Sequence, residues 1–541
     1  MRIDPVNLKQ KNVLVDDYLN DFTKVENKFE YNPYDEATIR QRAAYLNKQS
    51  YNRDELVATL TEMNDHWGAP EQTFTMIDKL KDETTSAVVA GQQAGLLTGP
   101  LYTVHKIISV IQLAKQQEKQ LGTAVVPVFW IAGEDHDFAE INHVMMKSQK
   151  KMKKIQLPSN VEQKLSVSDL PFDREVVASW LKKVFAEVKE TEITRDFYQT
   201  VVKIMDLSES YSDFFARVIY QLFNEEGLII VDAHHKDIRS LESNHFQRMI
   251  EENTSISEGV YAALQKNQLQ GYPVPLDSEL DDAHLFYHHH EERILLTRDE
   301  EGSYKGKRNE VQLTEAELLQ IAKERPWQLS NNVVTRPLMQ EFIFPVLAFI
   351  GGPGEISYWS VLKPAFQAVG LEMPPIYPRL SFTLVDRKAE AALSSLQLEL
   401  KQVLEHGTAS ERMKWLAATS NPPIERLSDQ IQQEMNEIHK PLREKAAELG
   451  PDIGALAEKN IGYLNQMIEF LEQRMLQSVE EKYEREMEAF TELDVLLHPG
   501  GGLQERVWNI VPWVNAYGMD VFQQLNKHRL SFNHPHYVVY L

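Results

Sequence analysis

Ala87-Val88-Val89-Ala90, then Gly91-Gln92-Gln93-Ala94-Gly95-Leu96-Leu97-Thr98-Gly99-Pro100, begin the stretch that decides the fold, which runs on to His143. The first four residues are short, apolar and partly β-branched, as a buried strand is. A glycine-rich turn follows. From Leu101 to about Glu118, Val104, Ile107, Ile108, Ile111 and Leu113 keep helical spacing, and Pro100 suits a helix start because its φ is already helical. Val125 to Ala132 is a nearly continuous apolar run, the pattern of a strand covered on both faces. Gly133-Glu134-Asp135-His136-Asp137 stands at its carboxyl end. The segment therefore reads as a βαβ unit, and both loops belong to one site, because open parallel sheets bind ligands outside the carboxyl ends of their strands.

Working outward, the same pattern recurs. Gly227 to Asp232 reads as a buried strand ending in Asp232-Ala233-His234-His235. Phe342 to Ile350 reads as a third, with Pro345 as a flaw in it, and leads into Gly351-Gly352-Pro353-Gly354-Glu355. Ile376 to Thr383 closes the core. Before the βαβ unit, Ala37–Asn47, Asp54–Trp67 and Pro70–Leu80 have helical spacing and show no chemistry. Residues 252–325 are turn-rich with short strands and the run His288-His289-His290, and read as an inserted subdomain. Residues 387–494 are charged and helical. Ile461, Leu464, Ile468, Leu471 and Met475 follow a coiled-coil seam, which slips after Met475. Residues 495–541 read as a segment docking back on the core 1–386.

The fold class expected is α/β: a Rossmann-like parallel-sheet core with connecting-peptide insertions, plus an α-helical coiled-coil domain. The chain has 541 residues, 43% of them hydrophobic, enough for more than one core. A net charge of −23 argues against nucleic-acid or anionic-membrane partners. There is no cysteine, which excludes disulfides, thiolate metal sites and a cysteine nucleophile. No apolar run approaches the roughly 20 residues of a membrane span, and the N-terminus has no signal-peptide core, so a soluble cytoplasmic protein is expected.

The Gly91–Pro100 loop matches neither a Walker A sequence nor G-x-G-x-x-G, yet a glycine turn before a helix N-terminus suits a phosphate as well as a purely structural role. Glu134, Asp135, His136 and Asp137, with Asn142 and His143, offer carboxylates and imidazole for proton transfer or amine orientation; a helix cap gives the same letters. His234 has the same place on another strand. Gly352 and Gly354 cradle an anion or simply turn. The lysine cluster Lys147–Lys154 reads as a solvated face, and His288–His290 as a surface loop.

Gly91 to Tyr102, Phe129-Trp130-Ile131-Ala132-Gly133-Glu134-Asp135-His136-Asp137-Phe138 and Gly351 to Tyr358 together resemble the BshC family, to which cysteine ligation in bacillithiol biosynthesis is assigned. The resemblance spans nearly the full length. It implies a core similar to class I aminoacyl-tRNA synthetases, a coiled coil that helps form a homodimer, and an ATP-dependent ligase. The reaction implied is the last pathway step, amide formation between cysteine and the amine of glucosaminyl-malate. Thr98 to Lys106 takes the place of the HIGH-type turn, with a different histidine spacing at His105, and Pro378-Arg379-Leu380-Ser381 that of a KMSKS-like element.

On that basis Glu134, Asp135, His136 and Asp137 are the expected catalytic group. Gln92, Gln93, His143, His234, Gly352, Gly354 and Tyr358 are expected to contact substrate. Gly95, Thr98, Gly99, Tyr102, Lys106, Arg379 and Ser381 are expected to contact ATP or ADP. A second nucleotide pocket is expected where Leu384, Val385 and Asp386 meet Arg506 and Trp508. No metal ligand set is assigned; if a metal reads the thiol, Glu134, His136 and His143 are the candidates, and a metal-free thiol pocket serves equally. The rival readings are a metal-dependent amidohydrolase or deacetylase, and a coiled-coil scaffold with a vestigial nucleotide cleft.

Overall fold

A computed structural model describes residues 1–158, 165–290, 292–419, 422–533 and 536–541. The βαβ unit forms as strand β1 (Ser86–Gln92), helix α1 (Tyr102–Leu121) and strand β2 (Val125–Ile131). Every residue of β2 is buried, which explains why its sequence is apolar without alternation. Gly122, at φ 74°, ends α1 in the left-handed conformation glycine adopts without strain.

Strands β3 (Ile229–Asp232), β4 (Val346–Gly351) and β5 (Ile376–Pro378) complete one sheet. Its order is β5-β4-β1-β2-β3, with every pairing parallel. The chain steps outward from β1 to β3, then crosses back to lay β4 and β5 on the other side of β1. The order reverses between β1 and β4, and the crevice at that switch point is where such sheets bind ligands.

The apolar run Phe342 to Ile350 is not one strand. Phe342 and Ile343 end the helix Thr335–Ile343, and the strand begins only at Val346. Pro345 separates them; it has no N–H to give a ladder, and its carbonyl accepts from Ala87 N at 2.9 Å. Between β3 and β4 the chain builds an antiparallel sheet from Asp282–His289, Glu292–Arg298, Tyr304–Gly306, Gln312–Leu313 and Leu329–Asn331.

The chain divides into two compact units. The first holds Met1–Ser148, Lys153–Thr383 and Glu505–Val539; the second holds Gln149–Met152, Leu384–Gln504 and Tyr540–Leu541. In the second, helices α3 (Ile424–Leu449) and α4 (Pro451–Lys482) meet at Gly450. His439 Nε2 lies 3.0 Å from Asn460 Oδ1, Arg443 3.5 Å from Glu458, and Ser428 hydrogen-bonds Glu472, so partners rise on one helix as they fall on the other. The pair is an antiparallel hairpin. Helix α4 stops at Lys482, close to where the apolar spacing slips. Of the seam expected from sequence, Ile461 is buried but Leu471 and Met475 are 58% and 40% exposed. No helix among the described residues is long and apolar enough to cross a membrane.

Candidate active site

A cleft of about 340 Å³ lies at the switch point of the first unit. Gly91, Gln92 and Gln93 reach it from the end of β1, Tyr102 and Lys106 from α1, and Trp130, Ala132 and Asp135 from the end of β2. Gly352, Gly354, Glu355 and Tyr358 come from β4 and helix α2 (Pro353–Trp359). Arg336, Gln340, Arg379 and Arg506 complete the wall. Two loops far apart in sequence meet here because β1 and β4 are neighbours in the sheet.

Lys106 fastens those loops together. Its ammonium donates to Gly91 O at 2.7 Å and Gln92 Oε1 at 2.9 Å, and pairs with Glu355 Oε2 at 2.7 Å. The same Glu355 oxygen accepts from Gly352 N at 2.8 Å. Burial pushes the Lys106 ammonium below its usual range, and Glu355 opposes that shift. Lys106 is thus at the cleft as expected, but as a clamp between turns.

The acid group after β2 splits into two roles. Asp135 faces the cleft; its Oδ2 accepts from Gln93 Nε2 at 2.8 Å and its Oδ1 lies 3.5 Å from Arg293 Nη1. Burial works against its charge, but Arg336, Arg293 and the Gln93 amide outweigh it and lower its titration. Glu134 is outside the cleft lining and fully buried. One oxygen accepts from Arg336 Nε at 2.9 Å, and the other is bound by Arg239. Here too burial opposes the charge, and the Arg239, Arg336 and Arg293 guanidiniums hold the carboxyl at about 2. Arg239 also pairs with Glu242 at 2.9 Å, whose carboxyl burial and nearby Glu134 push up to about 8. Both oxygens of Glu134, expected among the catalytic group, are thus engaged by guanidiniums, an arrangement that holds Arg239 and Arg336 in place.

His136 lies near Arg293, with Nδ1 at 3.3 Å from Nη1, and its backbone N–H donates to Asp135 Oδ1 at 2.8 Å. Asp137 is exposed at the start of a one-turn helix, outside the cleft lining, and His143 begins the next strand, also outside it. His234 lines a different cavity.

The glycine turn folds away from the cleft. Gly95, Thr98 and Gly99 are not in its lining, and Leu97, Thr98 and Gly99 all have positive φ, of 48°, 69° and 67°. A Cβ on Gly95 would sit 2.8 Å from Gly99 Cα, so the turn closes on itself. These three residues, expected to contact nucleotide, lie outside the cleft lining, and the glycines serve the close approach within the turn.

Arg379 reaches the cleft and makes a two-pronged pair with Glu505, at 2.7 and 2.6 Å. Glu505 also accepts from Ser381 Oγ at 2.6 Å and lies 2.9 Å from His105 Nδ1. These groups are buried, and burial lowers the titration of His105, favouring the neutral ring. Ser381, expected to contact nucleotide, is 2.8 Å from His536 Nδ1 and outside the cleft lining, and its hydroxyl belongs to this network. Of the residues expected at a second nucleotide pocket, Arg506 lines the cleft and Trp508 pairs its backbone with Met145 in the first unit. Leu384, Val385 and Asp386 belong to the second unit, where Asp386 caps a helix through Ala389 N at 2.7 Å.

The sequence reading missed Arg336, Arg293, Arg239 and Glu505. Arg336 carried one signal, a cation just before Pro337 at the start of a helix, and Arg239 another, a cation in the short helix Lys236–Leu241 that follows Asp232-Ala233-His234-His235; Arg293 comes from the insertion and Glu505 from the C-terminal return, far from any motif.

Two family models cover almost the entire chain. The one described as the N-terminal Rossmann-like domain of bacillithiol biosynthesis BshC matches residues 1–380, and the one described as its C-terminal coiled-coil domain matches residues 382–541. Relatives named "Putative cysteine ligase BshC" are similar over their full length. The protein of Oceanobacillus iheyensis is 41% identical, that of a Geobacillus species 38% and one from Bacillus cereus 39%, each covering 100% of both chains. With both domain models matched in order on this parallel-sheet unit and helical hairpin, the chain belongs to the BshC family of bacillithiol biosynthesis.

Proposed function

We propose that the switch-point cleft is the active site of an ATP-dependent ligase that joins the cysteine carboxyl to the amine of glucosaminyl-malate, the last step of bacillithiol biosynthesis. The observation that carries this is the juxtaposition of Arg336, Arg379 and Arg506 with Asp135, while the other cleft carboxylate, Glu355, is paired with Lys106, in a chain of net charge −23. Guanidiniums suit phosphate and carboxylate, and a partly desolvated crevice strengthens them.

In this reading the cysteine carboxylate attacks a phosphorus of ATP, forming an acyl adenylate with loss of pyrophosphate or an acyl phosphate with loss of ADP. The sugar amine then attacks the acyl carbon. The C–N bond forms, AMP or phosphate departs, and the amine proton passes to Asp135. Arg506 and Arg379 hold the phosphates, Arg336 faces the substrate carboxyl, and Gln92, Gln93 and Tyr358 supply the surrounding polar contacts. The protein acts in the cytoplasm as a homodimer formed by the helical hairpin, with the core at 1–386, the insertion at about 252–325, the helical domain at 387–494 and the returning segment at 495–541.

Purified protein incubated with ATP, cysteine and glucosaminyl-malate tests this by mass spectrometry. Product with AMP establishes adenylation, and product with ADP an acyl phosphate. Absence of product, with folded protein, overturns the reading.

A further inference from the structure

Another cavity of the first unit, of about 380 Å³, is lined by the helix Asn253–Leu269, by Asn27 and Lys28 near the N-terminus, and by Ser360 to Gln367, which follow helix α2. Gly259 lets the long helix close on Pro364: a Cβ there would meet Pro364 Cβ at 2.7 Å.

The wall carries three lysines, Lys28, Lys266 and Lys363, and no Asp or Glu. In a chain of net charge −23 this is a local reversal of sign. Lys363 has a counter-charge in Glu30, at 3.2 Å, and donates to Phe29 O at 3.0 Å. Lys28 and Lys266 have no carboxylate partner among the described residues. Lys266 is exposed, but Lys28 is only 6% exposed. The Lys28 ammonium donates to Asn267 Oδ1 and Gln270 Oε1 and lies 5.1 Å from the centre of the Tyr272 ring, all neutral groups. Burial and the neighbouring Lys266 charge both push its titration below the usual lysine range. A buried ammonium held by neutral partners, with two more cations on the same wall, lacks the anion that would balance it.

The residue types say which anion. Ammonium groups are compact charges with rotatable donors and suit the tetrahedral oxygens of phosphate; the planar fork that reads a carboxylate belongs to arginine, and this wall has none. Asn27, Asn267, Ser360 and Gln367 supply uncharged polar groups for a short hydroxylated tail. We propose that this cavity is a phosphate site outside the cleft, taking inorganic phosphate or the phosphomonoester of a small metabolite between Lys28, Lys266 and Lys363. A hydrogen-bonded path leads from it to α2. Asn267, which receives Lys28, donates through Nδ2 to Ser360 Oγ at 2.7 Å, and Ser360 Oγ donates to Ser357 O of α2 at 2.6 Å. The first residues of α2 wall the cleft, so a phosphate that draws on Lys28 acts on the far end of a cleft helix. Control of ligation from this site rests on the ligase reading; the binding does not.

Acetylation of the full chain, read lysine by lysine by mass spectrometry in phosphate and in sodium chloride of equal ionic strength, tests the binding. A bound dianion keeps the nearby ammonium groups charged and covered, so phosphate slows acetylation of Lys266 at least fivefold. Lys119 and Lys401, exposed elsewhere, react unchanged. Lys28→Met and Lys363→Met, both folded by circular dichroism, each abolish the protection, and Lys363→Met decides the matter if the buried variant does not fold. Protection by glycerol 1-phosphate at lower concentration than by phosphate identifies a phosphomonoester; protection by phosphate alone identifies the free ion. Equal rates in phosphate and chloride, slowing shared by Lys119 and Lys401, equal protection by succinate, or protection that survives in either folded variant overturns the proposal. Ligation is scored apart. Phosphate changes its rate in wild type and not in Lys363→Met; the same effect in both removes the control of ligation, and absence of product removes the ligase reading without touching the protection of Lys266.

Discussion

Asp135 and Glu134 are adjacent acids with opposite fates, and the difference is orientation. Asp135 faces the cleft, so Asp135→Asn lowers kcat by about 10²–10⁴-fold, the usual worth of a positioned proton acceptor, with little change in thermal stability. A ligation rate within twofold of wild type removes it from the reaction. Arg506 is exposed at the cleft wall. Arg506→Ala therefore raises the KM for ATP with the fold intact, and an unchanged KM in steady-state assays takes Arg506 out of the phosphate contacts. The buried acids give opposite pH signatures. Glu134, held at about 2 against an ordinary 4.5, contributes stability above pH 4.5 that is lost as pH falls toward 2. Glu242, pushed up to about 8, favours the folded state while protonated, so its contribution is present below 4.5 and lost as pH rises to 8. Replacing it, Glu242→Gln, flattens the pH 5–8 stability profile measured by urea denaturation. The wild-type slope there is at most about 1.4 kcal/mol per pH unit for one proton. Superimposable profiles would show that Glu242 stays ionised.

At the scale of elements, the site depends on two turns held at fixed distance. The strand order brings the ends of β1 and β4 together, and Lys106 on α1 ties one to the other through Gly91 O and Glu355. Replacing the ammonium by a methyl thioether, Lys106→Met, leaves Glu355 without its cation. The cost is about 3 kcal/mol in chemical denaturation, typical of breaking a buried pair, and ligation falls with it. A loss below 1 kcal/mol would mean that the turns hold their places unaided. In the glycine turn, Gly95 and Gly99 lie against each other, and the glycines serve that close approach.

At the scale of the whole molecule, the helical hairpin of the second unit presents apolar side chains that one chain does not cover. Leu442 and Leu449 on α3 are 62% and 71% exposed, and Leu456, Tyr463 and Phe470, each seven residues apart on α4, are 60%, 64% and 60% exposed. Exposed apolar residues repeated along both helices are an interface pattern, and the proposed homodimer covers them. Leu442→Glu combined with Leu456→Glu converts the dimer to a monomer in analytical ultracentrifugation without loss of helix content. A wild-type protein that sediments as a monomer at micromolar concentration contradicts the dimer directly.

The sequence alone determined the βαβ unit, since burial on both faces forces the apolar runs of β1 and β2 and proline and glycine mark their ends. It also determined the change to long charged helices, because heptad spacing is local. It located one side of the cleft, through Gly91 to Gln93 and Asp135, and the other through Gly352 to Tyr358. Tertiary structure decided the rest. Whether an acid points into the cleft or into an arginine cluster depends on partners such as Arg239 and Arg336, which are 105 and 202 residues from Glu134. Whether Ser381 meets a ligand or Glu505 depends on where the C-terminal segment returns. Patterns of burial are written along the chain; the partner of a buried charge is fixed only when distant segments meet, because that charge must be satisfied by whatever packs against it.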